Sequence, residues 1–375
     1  MDNMKKIAII GASYLQLPLV LKCREKGFYS ICFAYSEGAV CKNHCDEFFD
    51  ISIIEKEKIT EICKANAIDA VLTIASDVAV TTVNYVATAL NLIGNSNDSS
   101  LICTDKNKMK DALAKANLPI ANYVELSESN ELAKVKRLKY PLIVKPSDRS
   151  GSLGVTKIMR EEQLNDAFEL ALDCSLKKTV IIEEFITGKE ISVESISFGG
   201  EHYFLAFTDK VTSGAPHFVE LEHHQPANLT SIENSQIQDL LSSALTTLGI
   251  TNGAAHSELI IDVENKIYIN EIGARMGGDF IGSHLVELST GYDYLNGVLD
   301  VSLSRFSPPK IENKAHSGVL FLSNQTNYES KFHSQRPEIV QYEINEIKND
   351  TLTKSSDRHG YCIYQSNKKI NFDSL

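Results

Sequence analysis

A chain of 375 residues, 43% of them hydrophobic, can bury more than one sizeable core and needs no disulfide or metal staple to fold. Its 49 acidic against 37 basic residues give a formal charge of -12, which argues against nucleic acid or an anionic membrane as the main partner. The eight cysteines are scattered, and although His44 lies between Cys41 and Cys45, no second ligand pair at zinc spacing follows, so free thiols in a reducing cytoplasm are expected.

The chain opens on IAIIGASYLQLP, residues 7–18. Gln16 and Pro18 interrupt the apolar stretch, no small-residue cleavage site follows, and Lys22 stands before Cys23, all of which argue against a secretory or lipoprotein signal. No segment reaches the roughly 18 apolar residues that span a membrane. A cytoplasmic protein is expected. Over the first hundred residues the strand-like runs KIAII, SICFAY, AVLTI and NLIG alternate with helical stretches at 15–26, 56–65 and 80–90, which predicts a parallel sheet with crossover helices. A dinucleotide site there would want three glycines at fixed spacing and an acid ending the second strand. Gly11 stands alone and SICFAY runs into Tyr35 and Ser36, so the opening is read as a corner of the fold near a pocket at the strand ends.

Thr104 and Asp105 are the expected caps of a helix with Met109, Ala112, Leu113 and Ala116 at helical spacing, ended by Asn117 and Pro119. The strand YPLIVKP, a small-residue loop SDRSGSLG, the strand VTKIM, a helix over 161–173 with Leu164, Ala167, Phe168 and Ala171 on one face, and the strand TVIIEEF follow. Then come ISVESISF, FLAFTDK, a long loop rich in His, Pro and Glu, a helix over 237–248, and the pair HSELIID and KIYINEI. The tail from Ala315 reads as short strands ending in GYCIYQS.

The pair Glu258 and Glu271 carries the most chemical information. A hairpin turning at Glu264 and Asn265 sets the two carboxylates opposite each other, with His256 on their face and Leu259, Ile261, Tyr268 and Ile272 turned to a core. Carboxylates about 5 Å apart repel by about 3 kcal/mol at an effective dielectric near 20. A shared proton would offset that, and so would a divalent cation, for which oxygen ligands suit magnesium or manganese. Lys145 ends the apolar strand LIVKP ahead of the small-residue loop, an order that suggests a flap over phosphates, or else a hairpin loop with a snorkelling lysine. In VIIEEFITGKEISVE, the strand running into Glu183, Glu184 and Phe185 and the new strand at Glu190 could line an adenosine pocket, with backbone groups near Glu184 and Ile186 reading the base edge.

In this order the pieces resemble the ATP-grasp superfamily, in the branch of biotin carboxylase, the purine-pathway carboxylate-amine ligases and the bacterial L-amino-acid ligases. The motifs are GASYLQLPLV, TDKNKMKDAL, LIVKPSDRSGSLGV, EEFITGKEISVE, HSELIIDVENKIYINEIGARMGGD and SDRHGYCIY. The resemblance implies an α/β and α+β protein: a Rossmann-like parallel-sheet domain over 1–103, the N-terminal part of an ATP-grasp fold with a small lid subdomain over 104–185, a C-terminal subdomain with a metal site over 186–310, and a mixed β region over 311–375. It implies ATP and Mg2+ (or Mn2+) as cofactors, with Lys106 and Lys145 on the phosphates and Ser150, Gly151, Ser152 and Gly154 in the flap. It further implies Glu183, Glu184, Ile186 and Glu190 around adenosine, Glu258 and Glu271 on the metal, and Arg275 at the transferring phosphoryl or the substrate carboxylate, with Lys145 and Lys210 as further catalytic groups. Relatives place Asn two positions after the second glutamate, where Gly273 stands here, so one or two metal ions remain open.

The implied reaction joins a small-molecule carboxylate to an amine through an acyl-phosphate, releasing ADP and phosphate, and a homodimer is compatible with the resemblance. For the substrates, the loop from Lys210 through SGAPHFVELEHHQPANL either supplies contacts, with Glu220 toward an ammonium group and His223 or His224 nearby, or is a solvated surface loop. His256 is a further candidate, and Asp77 either faces the same cleft or caps the next helix. Two alternatives stand beside the ligase. Bicarbonate activation lacks a biotin-attachment Met-Lys-Met here, since KMK at 108–110 lies in a helix, and a silent nucleotide-binding module would have lost one of Lys145, Glu258, Glu271 or Arg275, all present.

Overall fold

The computed structural model describes residues 4–149, 151–312, 314–326, 336–347 and 351–370, so Ser150 of the expected flap lies outside the described residues. Short apolar runs buried on both faces and one half-buried edge strand build its first sheet: β1 (Lys6–Ile10), β2 (Tyr29–Ala34), β3 (Glu47–Asp50, the edge) and β4 (Ala70–Leu72) pair in parallel in the order β3-β2-β1-β4. Helices α1 (Leu17–Glu25) and α2 (Lys56–Asn66) cross between strands, and α3 (Asp77–Leu90) follows β4. NLIG is not a strand. Asn91 caps α3 at a left-handed φ of 56° and the Leu92 N–H donates to Ala87 O at 2.8 Å, so this segment ends the helix instead. The sheet edge is EFFD, whose Phe49 stacks on Phe33 with ring centroids 5.3 Å apart.

Next come α4 (Asn97–Cys103), which Thr104 terminates, and α5 (Lys106–Lys115), begun by Asp105, whose carboxylate accepts from the Asn107 and Lys108 N–H groups. The second sheet is antiparallel, with β5 (Tyr123–Leu126), β6 (Leu142–Pro146), β7 (Thr156–Ile158) and β8 (Val180–Glu184) in the order β5-β8-β6-β7. Helix α6 (Leu164–Cys174) covers it with the buried stripe Leu164, Ala167, Phe168 and Ala171.

The third and largest sheet comprises β9 (Gly188–Phe198), β10 (Glu201–Thr212), β11 (Glu220–Gln225), β12 (Gly253–Asp262), β13 (Ile267–Gly273), β14 (His316–Leu322), β15 (Ile339–Ile344) and β16 (Gly360–Ser366). The order is β13-β12-β9-β10-β11-β14-β16-β15, with every neighbouring pair antiparallel. Helix α7 (Ser231–Thr247) starts in a capping box between Thr230 and Glu233 and packs Ile237, Leu241 and Leu245 against Ile191, Leu259 and Ile269 of this sheet. On the other face, α8 (Val286–Thr290) and α9 (Tyr294–Ser302) share a core with Ile196 and with Ile7 and Ile9 of the first sheet. The central sheet is thereby packed on both sides.

Strand β11 overturns the reading of its segment as loop throughout. His223, His224 and Gln225 are buried, and the polarity of the last two is met inside the protein: His224 Nδ1 lies 2.8 Å from the Tyr364 hydroxyl and Nε2 lies 2.6 Å from Glu222, while Gln225 Nε2 donates to Thr208 Oγ1 at 3.0 Å. A strand whose inward side chains are polar carries no hydrophobic alternation to betray it. Among the described residues, no helix is long and apolar enough to cross a membrane.

Candidate active site

Glu258 does face Glu271, by a different route from the expected turn. Three residues, not two, connect Asp262 to Lys266, with the Asp262 N–H donated to Lys266 O at 2.9 Å. That alone would slip the register by one. A bulge at Asn270, between the Leu259–Ile269 and Glu258–Glu271 pairs, restores it. The bulge turns Ile269 into the core in place of the expected Tyr268, which stays half-buried, and it brings Asn270 Nδ2 to 3.4 Å from Glu258 Oε2.

The three sheets and the 354–358 segment enclose a cleft of ≈ 680 Å³. At one end α5 and β6 aim three lysines inward. Lys106 Nζ lies 2.8 Å from Glu271 Oε1 and donates to Arg149 O at 2.9 Å. Lys145 pairs with Glu183, and Lys110 Nζ lies 3.0 Å from Glu183 Oε2, off the hydrogen-bond direction but within ion-pair range. Burial pulls the Lys110 charge down, and its pKa is lowered on balance; burial opposes the Lys145 charge too, but Glu183 and Glu271 raise it. Burial would push the Glu183 carboxyl up, yet Lys110 and Lys145 hold it at about 2. Glu183 is thus engaged by two lysines instead of standing open toward a ligand. Glu184 uses its side chain structurally, accepting from the Lys139 N–H and from Asn122 Nδ2 at 2.9 Å each, while Phe185 and Ile186 line the cleft beside it. Over the mouth, Gly151 and Ser152 line the cleft and Ser152 Oγ donates to Phe218 O at 3.2 Å; Gly154 is wedged behind them against Cys174 and Pro146.

Midway along, Lys210 Nζ sits 2.6 Å from Glu190 and 2.7 Å from Glu258, with Glu220 at 3.9 Å. Burial disfavours its charge, but these three carboxylates raise its pKa well above the usual value, while Lys210 and His256 hold half-buried Glu258 well below the usual carboxylate range. Arg275 grips Asp77 in a two-point fork, Nε to Oδ1 and Nη2 to Oδ2 at 2.9 Å each. Asp77 is therefore the arginine's anchor, and Ser76 occupies the cap position of α3. Gly273 has a steric reason: a Cβ there would sit 2.9 Å from Asp77 Oδ1 and 3.2 Å from Arg275 Cζ.

The far end holds groups that sequence reasoning missed. Asp279 and Arg358 form a second fork at 2.8 and 2.7 Å, and Ser355 Oγ donates to Glu220 Oε2 at 3.3 Å. Burial, with the Asp279 and Glu258 charges nearby, raises the Glu220 pKa against the pull of Lys210. Burial pushes His223 down to about 4, so it is neutral at pH 7, and neither ring nitrogen has a hydrogen-bond partner among the described residues. Tyr14 and Leu15, from the opening segment, also line this end. Lys110 was legible in principle, one helical turn from Lys106 on the same face of α5. Arg358 was not, since only the fold brings it to a residue 79 positions away.

The family model described as the ATP-grasp domain matches residues 138–283, a range that includes Lys145, Lys210, Glu258, Glu271 and Arg275. Residues 138–283 are thus similar to the ATP-grasp domain. Among relatives, D-alanine–D-alanine ligase A of Salmonella typhimurium is 31% identical over 238 residues, covering 58% of this chain and 63% of the ligase; the chain thus spans less than two thirds of that relative's length. Among solved structures, the L-amino acid ligase of Bacillus licheniformis superposes with a TM-score of 0.84 at 24% identity, covering 98% of this chain and 95% of that one. The N5-carboxyaminoimidazole synthetase of Staphylococcus aureus, complexed with ADP, gives 0.81 at 17% identity over the same shares. These likenesses show that the chain shares the overall fold of those two proteins.

The donor set of the ATP-grasp cleft suits magnesium in one particular way. Among the described residues no group of three or more His, Cys, Asp or Glu side chains could hold a metal alone. Two facing carboxylates with the Asn270 amide beside them match a cation that takes one or two carboxylates and completes its shell with phosphate oxygens and water.

Proposed function

We propose that this ATP-grasp protein is an ATP-dependent carboxylate-amine ligase that activates a small carboxylic acid or amino acid as an acyl-phosphate and joins it to an amine. The observation that carries the reading is the juxtaposition in one cleft of inward lysines, a facing carboxylate pair and an arginine locked by Asp77. Lys106 and Lys145 bind the ATP phosphates, and as they do so Lys106 gives up Glu271. The chemistry magnesium supplies when bound at Glu258 and Glu271 is neutralisation of charge on the phosphates. Arg275, pre-oriented, meets the carboxylate that attacks the γ-phosphate and the charge that develops there. Glu190 and the backbone by Ile186 hold adenosine, and residues 151–154 exclude water from an intermediate that hydrolyses readily.

At the far end, Glu220 is a half-buried carboxylate with a raised pKa, a site that an arriving ammonium group would stabilise, and neutral His223 offers a ring nitrogen as acceptor. That environment favours an amino acid as one of the two substrates. The test is ADP release from ATP and magnesium across a matrix of carboxylates and amines, bicarbonate and the common amino acids included, singly and in pairs. Release that requires one acid-amine pair is expected. Release with bicarbonate alone would instead favour carboxylation, and ATP binding with silence across the matrix would favour a module without turnover.

A further inference from the structure

Glu194, in the middle of β9, is a fully buried carboxylate that does not line the cleft. A charge in that position is costly unless it is partnered, and its partners are unusually informative. Its Oε1 bonds His256 Nδ1, and Oε2 accepts from the Gly277 N–H at 2.9 Å. The other ring nitrogen of His256, Nε2, lies 3.4 Å from Glu258 Oε1. Cross-strand register sets this up, with His256 directly opposite Glu194 and Glu258 two residues further along the same strand face. The approach of Gly277 is close enough to exclude any side chain, since a Cβ would stand 2.4 Å from Glu194 Oε1 and 2.8 Å from His256 Nδ1. Gly277 also belongs to the turn that begins with Arg275.

We propose that Glu194 is a positioning residue that ties the two halves of the reaction centre together, orienting Glu258 through His256 and holding the Arg275 turn through the Gly277 N–H. The inference rests on the metal role proposed for Glu258. Lys210 also holds Glu258, at 2.7 Å, but it is shared with Glu190 at 2.6 Å, whereas His256 is braced from behind by Glu194. Carboxylates that bind metals are themselves oriented by such outer partners, whose loss lowers metal affinity roughly 10- to 100-fold. Glu194→Gln keeps the volume and can still accept from Gly277, but its amide forces the opposite hydrogen-bond polarity on Nδ1 and removes the charge behind the ring.

The experiment measures Mn2+ binding by electron paramagnetic resonance to the full chain with saturating ADP, for wild type, Glu194→Gln, His256→Gln, the double variant and Glu258→Gln. ADP binding without metal and the unfolding temperature are followed in parallel. Expected are a roughly 10- to 100-fold loss of Mn2+ affinity in Glu194→Gln with metal-free ADP binding unchanged, and a double variant no weaker than His256→Gln, because the two residues act in series. If the buried Glu194 variant folds poorly, His256→Gln tests the same link from the cleft side. Wild-type Mn2+ affinity in both single variants overturns the proposal, as do parallel losses of Mn2+ and metal-free ADP binding, which mark a merely structural carboxylate. If wild type binds no Mn2+ with ADP, or Glu258→Gln binds it fully, the metal assignment itself falls and the proposal with it.

Discussion

At the scale of single residues, the site is a set of charges that hold one another in place. Glu271 faces Glu258 and neutralises Lys106. Glu271→Gln is expected to fold normally but to release ADP about 100-fold more slowly, the scale seen when one preorganised charge is removed from a transition state; near-wild-type turnover would contradict its metal role. Glu183 is the structural counterpart. Because its folded pKa of about 2 lies below the usual 4.5, its ion pairs contribute stability that is present above pH 4.5 and is lost as pH falls toward 2, on the order of 3 kcal/mol. Urea unfolding across that range should show the loss in wild type and a flatter profile in Glu183→Gln. The variant starts lower at neutral pH, because Lys110 and Lys145 are left buried without their partner. Equal slopes in the two proteins would mean that other carboxylates carry the acid sensitivity.

At the scale of elements, the hairpin of β12 and β13 shows how a sequence reading can reach the right pair for an incomplete reason. Ile267 and Ile269 alternate inward, and the next inward residue is Ile272, three positions on; that broken period is the signature of a bulge and was there to be read. Reading it as regular put Tyr268 in the core and left Asn270 without a role. Deleting Asn270 should leave a regular ladder with Glu258 still opposite Glu271 and an unchanged unfolding temperature. Magnesium-dependent ADP binding should fall about tenfold as the amide beside Glu258 is lost; intact magnesium dependence would make the bulge a purely structural feature. Strands β1, β2 and β4 and helix α6 were legible because burial imposes apolar runs on the first and a helical stripe on the last, whereas the half-buried edge strand EFFD carried no such signal. Strand β11 and the NLIG segment were not, because the one buries polar residues partnered from neighbouring strands and the other ends a helix at left-handed Asn91, a stop signal masked by the apolar Leu92 and Ile93 that follow it.

At the scale of the whole molecule, the cleft exists only because distant segments converge. The opening corner brings Tyr14 and Leu15, the end of the first sheet brings Asp77, the second sheet brings Lys145 and Glu183, and the last strands bring Arg358 across to Asp279. Motif order pointed to the fold and to the end of the cleft that holds Lys106, Lys145 and Glu271. The far end was legible only as a candidate loop, since its contacts span the chain. Catalysis by carboxylate activation is the claim that binds these pieces together. The most direct measurement takes the acid-amine pair that drives ADP release, labels the acid's carboxylate with oxygen-18, and analyses the released phosphate by mass spectrometry. An acyl-phosphate route transfers one labelled oxygen from the acid to phosphate; unlabelled phosphate accompanied by product would contradict it.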